Sequence, residues 1–204
     1  MEFQDVVNRR RMVRNFEVDR PIPPDVLDRI LTNALHAPSA GFSQGWAFLV
    51  LDNPADVERF WTTTWADGDR AAFRWQGLFH APVLVVPLSH KQAYLDRYAE
   101  PDKGVVDKRE SFWPVPYWDI DTGMASLLML LTAVDAGLGA LFFGIFPTHI
   151  PAFRAAFDVP DAYTPIGAIA LGHRAPDEAS PSLKRGRRPL DEVVHRGRFR
   201  AAPR

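Results

Sequence analysis

The segment Arg9-Arg10-Arg11-Met12-Val13-Arg14-Asn15-Phe16 sets three consecutive guanidiniums, and a fourth three residues on, at the end of a short predicted N-terminal helix. Guanidinium groups take phosphate through paired, charge-assisted hydrogen bonds. The chain as a whole carries a formal net charge of -1, so a run this basic points to a local anionic ligand rather than a generally basic surface. A second cluster, Lys184-Arg185-Gly186-Arg187-Arg188-Pro189, stands ahead of Leu190-Asp191-Glu192-Val193-Val194. Taken singly, each cluster is also what a solvated basic face or a polyanion patch looks like. A third stretch, Ala37-Pro38-Ser39-Ala40-Gly41-Phe42-Ser43-Gln44-Gly45-Trp46, combines small residues that let backbone approach a flat ligand with hydrogen-bonding Ser39, Ser43 and Gln44. Without context it is also an ordinary helix-to-strand loop.

Other chemistries are excluded or unsupported. The chain has no cysteine, which removes disulfides, thiolate metal sites and cysteine nucleophiles. His36, His80, His90, His149, His173 and His195 show no metal-ligand spacing, and no metal is expected. No GxGxxG follows a strand and opens a helix, so no Rossmann nicotinamide domain is expected.

The elements that must position these groups follow from hydrophobic spacing. Arg20-Pro21-Ile22-Pro23-Pro24 pre-sets a helix start, and Val26, Leu27, Ile30, Leu31, Ala34 and Leu35 then share one helical face up to a stop at Pro38. Apolar runs over 47–51, 81–88 and 166–171 predict buried strands, with helices over 55–65 and roughly 69–77. Residues 121–136 are apolar nearly all round, begin with aspartates suited to capping and end at Gly137, which predicts a buried helix running into a strand over 138–146. Helices interleaved with buried strands imply a sheet covered on both faces. Residues 94–118, rich in charge, proline and aromatics, predict an irregular excursion whose Trp113, Tyr117 and Trp118 either stack on a planar substrate or staple the loop down.

With 204 residues, 47% hydrophobic and 24% charged, the chain fits one globular domain over 1–204. Residues 191–204 form a polar C-terminal extension expected to wrap a neighbour or fray. The opening Met-Glu-Phe-Gln-Asp has no signal-peptide pattern, and the apolar stretch Met124–Val134 is too short for a bilayer, so a soluble cytoplasmic protein without a membrane partner is expected.

The order of an Arg-Arg-x-x-Arg-x-Phe opening, an Ala-Pro-Ser-Ala-Gly loop leading to Gln-x-Trp, a buried helix running into Gly-Leu-Gly, and a late Arg-Arg-Pro-Leu-Asp-Glu-Val-Val resembles the FMN-dependent nitroreductase family. The resemblance spans about Val6 to Val194 and rests on order and spacing rather than on any one motif. It implies an α+β fold: a three-layer α-β-α sandwich with a mainly antiparallel central sheet, built as a homodimer with FMN at the subunit interface. It further implies ping-pong electron transfer from NADH or NADPH through FMN to a small-molecule acceptor.

Carried over by position, the resemblance puts the FMN phosphate and ribityl chain on Arg10, Arg11 and Arg14, with Met12 where a serine is usual, and leaves Arg9 facing solvent. Arg185 and Arg187 close on the same phosphate, with Arg188 able to exchange roles with its neighbour. A phosphomonoester carries about two negative charges at neutral pH, which suits several converging arginines. Pro38, Ser39, Ala40 and Gly41 match the segment that the partner subunit lays against the flavin. Phe42 replaces the usual asparagine and adds an apolar wall to the acceptor pocket, and Gly45 replaces the usual proline. Phe143 stands where some relatives carry glutamate, and the backbone amide of Gly144 matches the donor to flavin N5. The absence of a catalytic His, Asp or Cys constellation agrees with hydride chemistry intrinsic to the flavin.

The leading expectation is an FMN-dependent NAD(P)H oxidoreductase acting on nitroaromatic, quinone-like or related conjugated acceptors, with Phe42, Trp113, Tyr117 and Trp118 lining the substrate pocket. One rival keeps the fold as a flavin-sequestering protein whose acceptor pocket Phe42 and Phe143 close. A second is a nucleic-acid binder using the basic runs. The net charge and the lack of a recognisable nucleic-acid motif speak against that rival, and no nucleic-acid partner is expected.

Overall fold

The computed structural model describes residues 1–104 and 107–199, with the Asp67 side chain left aside. In chain order the elements are α1 (Phe3–Arg9), α2 (Pro24–Ala34), β1 (Trp46–Leu51), α3 (Pro54–Thr64), α4 (Asp67–Ala72), β2 (Val83–Ser89), α5 (Lys91–Tyr98), α6 (Tyr117–Asp135), β3 (Gly139–Phe143), α7 (Ile150–Ala156), β4 (Thr164–Pro165), β5 (Ala168–Gly172) and α8 (Leu190–Val193). The strands form one antiparallel sheet in the order β1-β2-β5-β3, with the two-residue β4 added beside β2.

The sheet is covered on both faces, and its strands show why. Leu84, Val86 and Leu88 of β2 join one core with α3 and α7, while Val83 and Val85 join the other with α2 and α6. In β5, Ala168 and Ala170 go with the first core and Ile169 and Leu171 with the second. Period-two side chains that are apolar on both faces can only sit in the middle of a sandwich. The result is the expected three-layer α-β-α arrangement.

Each layer has a local cause. α2 begins with Pro24 at its first turn, where a missing N–H costs nothing, and buries Leu27, Ile30 and Ala34. α3 is capped by Asn53, whose side chain accepts from the Asp56 amide at 3.0 Å. α6 buries Thr122 and Ser126 without loss because each hydroxyl donates back one turn, to Trp118 O at 2.6 Å and Thr122 O at 2.8 Å. Asn33 Nδ2 donates to Thr132 Oγ1 at 3.0 Å and ties α2 to α6.

Four sequence expectations need correction. The helix expected over 69–77 is the short α4 followed by a 3₁₀ turn at Gln76–His80, because Phe73 turns back onto the Trp65 and Phe79 rings and Trp75 packs against Phe73. The excursion expected over 94–118 is shorter, since its first residues belong to α5 and Tyr117 and Trp118 open α6; positions 105 and 106 lie outside the described residues. Asp121 is not a cap but a buried acceptor inside α6. β3 stops at Phe143 rather than 146, because its partner β5 begins opposite it at Ala168 and Pro147 starts a new turn. In the expected extension over 191–204, α8 is a single exposed turn and 200–204 lie outside the described residues.

The first core centres on Phe60, fully buried and packed edge-on against Trp61, Phe143 and Phe153. Replacing it with alanine leaves a large cavity and is expected to cost about 3–5 kcal/mol of unfolding free energy, read as a lower urea midpoint at unchanged slope.

Candidate functional site

The arginine run is held by the sheet edge. After α1, residue 12 pairs in parallel with Ala140 of β3, and the Val13 amide donates to Ala140 O at 3.0 Å. Phe16 then bridges Arg174, the Glu17 amide donates to His173 O at 2.9 Å, and the Ala175 amide donates to Asn15 O at 3.1 Å. Residues 12–17 thus lie between β3 and the segment leaving β5. Val13 and Phe16 point into the first core, 2% and 1% exposed, which turns Arg11 and Arg14 outward. Met12, at the usual serine position, packs against both cores, and its sulfur accepts the Phe142 amide at 3.5 Å. The departure from serine therefore exchanges a hydroxyl for an apolar plug under the cradle.

Beside this segment lies a cavity of about 380 Å³ lined by Arg10, Arg11, Met12, Arg14, Arg187, Asp177 and neighbours from the 178–183 loop. Among the described residues, none of Arg10, Arg11, Arg14 and Arg187 is ion-paired to a carboxylate. Asp177 and Glu178 also line it without ion-pairing to these four: Asp177 Oδ2 accepts the Arg14 backbone amide at 3.0 Å, and Glu178 is taken by Arg74 at 3.0 Å. The Arg14 guanidinium is steadied by the Trp75 ring, 5.0 Å from its centroid, and by Met12 O at 3.4 Å. Arg174 stands close enough that burial, and then the Arg11 charge, lower its pKa from the ordinary arginine value, against a smaller opposing pull from Asp177. Unpaired like charges in one hollow call for an anion.

The structure divides the late basic cluster. Arg187 lines the cavity with the N-terminal arginines. Arg185 is exposed and does not line it, and Arg188 is turned aside by Glu192, which accepts its Nε at 3.2 Å. Arg9, also exposed, takes no part. Arg174, Asp177, Ser180 and Ser182 were not foreseen. Only Arg174 left a trace in the sequence, as a cation two residues past a strand end.

The loop over 38–45 lies at the opposite sheet edge, feeding β1. Two of its polar groups are used within the loop: Ser43 Oγ donates to Ala40 O at 2.6 Å, and the Gln44 amide donates to Ser39 Oγ at 3.0 Å. Gly41, Phe42 and Gln44 all adopt positive φ, at 61°, 54° and 48°. For a non-glycine residue this conformation costs about 1–2 kcal/mol. Phe42 accepts that strain while 74% exposed as a residue, so packing within the chain does not repay it. Gly45 has a plain cause: a Cβ there would sit 2.4 Å from the Tyr94 ring and 2.8 Å from His90 O, which leaves no room for the usual proline.

Phe143 and Gly144 also separate. The Phe143 ring stacks on Trp61 at 5.6 Å and 16°, partly buried against the first core. Gly144 follows it at an exposed position with open space on its Cβ side, leaving its backbone approachable. Of the aromatic trio, Trp118 is 8% exposed and packs edge-on against Tyr94 and Trp113. Trp113 is the hub, touching the rings of Tyr94, Tyr98, Phe112, Tyr117 and Trp118. Of the two alternatives, these ring contacts are the stapling ones for Trp113 and Trp118, which tie the excursion to α5 and α6, while Tyr117 stays exposed. Among the described residues no group of acidic, histidine or cysteine side chains is placed to hold a metal, and no helix is long and apolar enough to cross a membrane.

The model described as "Nitroreductase family" matches residues 7–173, and the chain belongs to that family. A Methanothermobacter thermautotrophicus protein provisionally named NADH dehydrogenase/NAD(P)H nitroreductase is 26% identical over 186 residues, covering 90% of this chain and 83% of the relative. A Staphylococcus aureus NADPH-dependent oxidoreductase is 24% identical over 200 residues, 97% of this chain and 74% of the relative. Among solved structures, a provisionally named nitroreductase from Exiguobacterium sibiricum in complex with FMN superposes with a TM-score of 0.72 at 19% identity, covering 96% of this chain and 97% of that one.

The Tyr94 hydroxyl, buried and donating to the Asp121 carboxylate at 2.9 Å, has its pKa pushed well above the ordinary tyrosine value, first by burial and then by that hydrogen bond. A raised folded-state pKa stabilises the fold below the ordinary tyrosine range and loses that contribution as pH climbs above it. The urea midpoint is therefore expected to fall more steeply above about pH 10 in the wild type than in Tyr94→Phe.

Proposed function

We propose that this chain is an FMN-dependent NAD(P)H oxidoreductase that reduces nitroaromatic, quinone-like or related conjugated acceptors in a ping-pong cycle. The observation that carries the reading is the cavity in which Arg10, Arg11, Arg14 and Arg187 stand without carboxylate partners. Its donor set fits a phosphomonoester, and the family's NAD(P)H-named members and the FMN-bound structure support the choice of ligand. Hydride uptake and release are the chemistry FMN supplies when bound. The side chains of this protein bind and orient. The arginines take the phosphate, Trp75 keeps Arg14 from swinging away, and the Gly144 amide is the backbone donor proposed for the N5 edge. Met12 excludes water beneath the cradle, and Phe42 and Tyr117 are the acceptor-facing aromatics of the proposal.

The working unit in this reading is a homodimer. The arginine cradle lies on the β3 edge and the 38–45 loop on the β1 edge, three strand spacings apart, or about 14 Å. A second copy bringing its own Pro38, Ser39, Ala40 and Phe42 to the cradle completes a site that one chain leaves open. Tyr117, Ile120, Met124 and Leu127 form an exposed apolar stripe along α6 that supports such pairing. NAD(P)H is a reductant of the cell interior, and the cytoplasm is the proposed compartment.

The decisive test is spectroscopic. Purified protein is expected to carry an oxidised-flavin spectrum that NADH or NADPH bleaches anaerobically and a quinone or nitroaromatic restores; persistence of the oxidised spectrum with both nucleotides would sink the reductase reading. Arg14→Ala and Arg187→Ala are each expected to weaken FMN binding about tenfold to a hundredfold, the worth of a charge-assisted hydrogen bond, with little change in thermal midpoint of the flavin-free protein. Arg185→Ala is expected to do markedly less, as fluorescence titration with FMN would read.

A further inference from the structure

Three side chains from α5 and α6 converge on the strained loop, and none belongs to the cradle. Asp121, 3% exposed, has no cation within ion-pairing distance among the described residues. Its Oδ2 accepts two hydrogen bonds, from the Ala40 amide at 2.8 Å and from the Tyr94 hydroxyl at 2.9 Å. Tyr94 is fully buried, and its ring fills the space that a side chain at position 45 would need. Arg97 takes the peptide between residues 41 and 42, with Nε donating to Gly41 O at 3.0 Å while Nη1 and Nη2 hold Asp102 at 2.7 Å each. The fixed groups thus grip the N–H of residue 40 and the C=O of residue 41, the two ends of the turn that throws Phe42 outward.

A buried carboxylate without a counter-ion is a costly choice for mere loop attachment. The same is true of an exposed aromatic ring held at positive φ, a combination that occurs where a side chain is being presented to something. We infer that Tyr94, Arg97 and Asp121 are positioning residues that preset the backbone of the Gly41–Phe42 turn, so that Phe42 projects from an already ordered loop toward a planar acceptor. The inference rests on the flavin reading for the identity of the site, and names Phe42, through this clamp, as the determinant of acceptor class. A loop backbone fixed before binding does not have to be ordered when an acceptor stacks on Phe42, so planar acceptors gain affinity over those that need no stacking. Because Arg97 also holds Asp102, the clamp joins the loop to the start of the excursion after α5.

The test uses full-length Tyr94→Phe, Arg97→Gln, Phe42→Ala and the double variant Phe42→Ala/Tyr94→Phe. Amide hydrogen exchange on the flavin-free proteins is expected to quicken by about tenfold or more at residues 40–44 in Tyr94→Phe and Arg97→Gln, with β2 amides as in the wild type. In steady-state assays with NADPH, the ratio of the menadione KM to the ferricyanide KM is expected to rise by about five- to tenfold in each single variant, since ferricyanide takes electrons without stacking. The double variant is expected to match Phe42→Ala alone, because both changes act through one ring. Unchanged loop exchange overturns the clamp, as does a KM ratio that moves in Phe42→Ala but not in Tyr94→Phe or Arg97→Gln, or effects that add in the double variant. Arg97→Gln, partly exposed, keeps the test open should Tyr94→Phe fold poorly. A wild type that holds no flavin and passes no electrons to ferricyanide sinks the oxidoreductase reading instead, and loop exchange alone then decides the clamp.

Discussion

Four guanidiniums around one cavity repel one another, and the fold has to hold them there before any ligand arrives. It does so with backbone. The pairing of residue 12 with Ala140 and of Phe16 with Arg174 threads the arginine segment between β3 and the exit of β5, and the buried Val13 and Phe16 anchor it on the apolar side. Everything functional on that edge depends on this splice: the outward aim of Arg11 and Arg14, the Trp75 ring under Arg14, and the arrival of Arg187 from far along the chain. Asp177 and Glu178 offset part of this charge, and the excess that remains is relieved when an anion enters.

Much of this was legible in sequence where periodicity and side-chain chemistry agreed. The apolar face of α2, the doubly apolar strands and the long α6 follow from spacing alone, because burial on one or two faces writes a period into the chain. α5 was hidden for the opposite reason. It buries little beyond Tyr94 and Leu95, so its charged sequence carries almost no periodic signal. Asp121 resembled a cap because aspartates usually are caps, and a buried carboxylate whose partners lie 81 and 27 residues away has no local signature.

The site divides along the same line. Arg10, Arg11, Arg14 and Arg187 announced themselves by clustering, whereas Arg174 and Asp177 stand alone beyond a strand end and are brought in by tertiary pairing only. Phe143 shows the converse hazard. Position in a motif suggested a pocket wall, but alternation along β3 decides which face a side chain sees, and that face is the Trp61 core. Trp113 and Trp118 were drawn inward by one another's rings, a cluster that only the closure of the excursion onto α5 could create.

The lock between Gly45 and Tyr94 sets what this loop can tolerate. With the ring at 94 in place, a Cβ at 45 would meet both that ring and His90 O. The two positions are sterically one choice in this chain. The loop is held through the Tyr94 hydroxyl on Asp121, a hydrogen-bonded restraint where a proline at 45 would have been a covalent one.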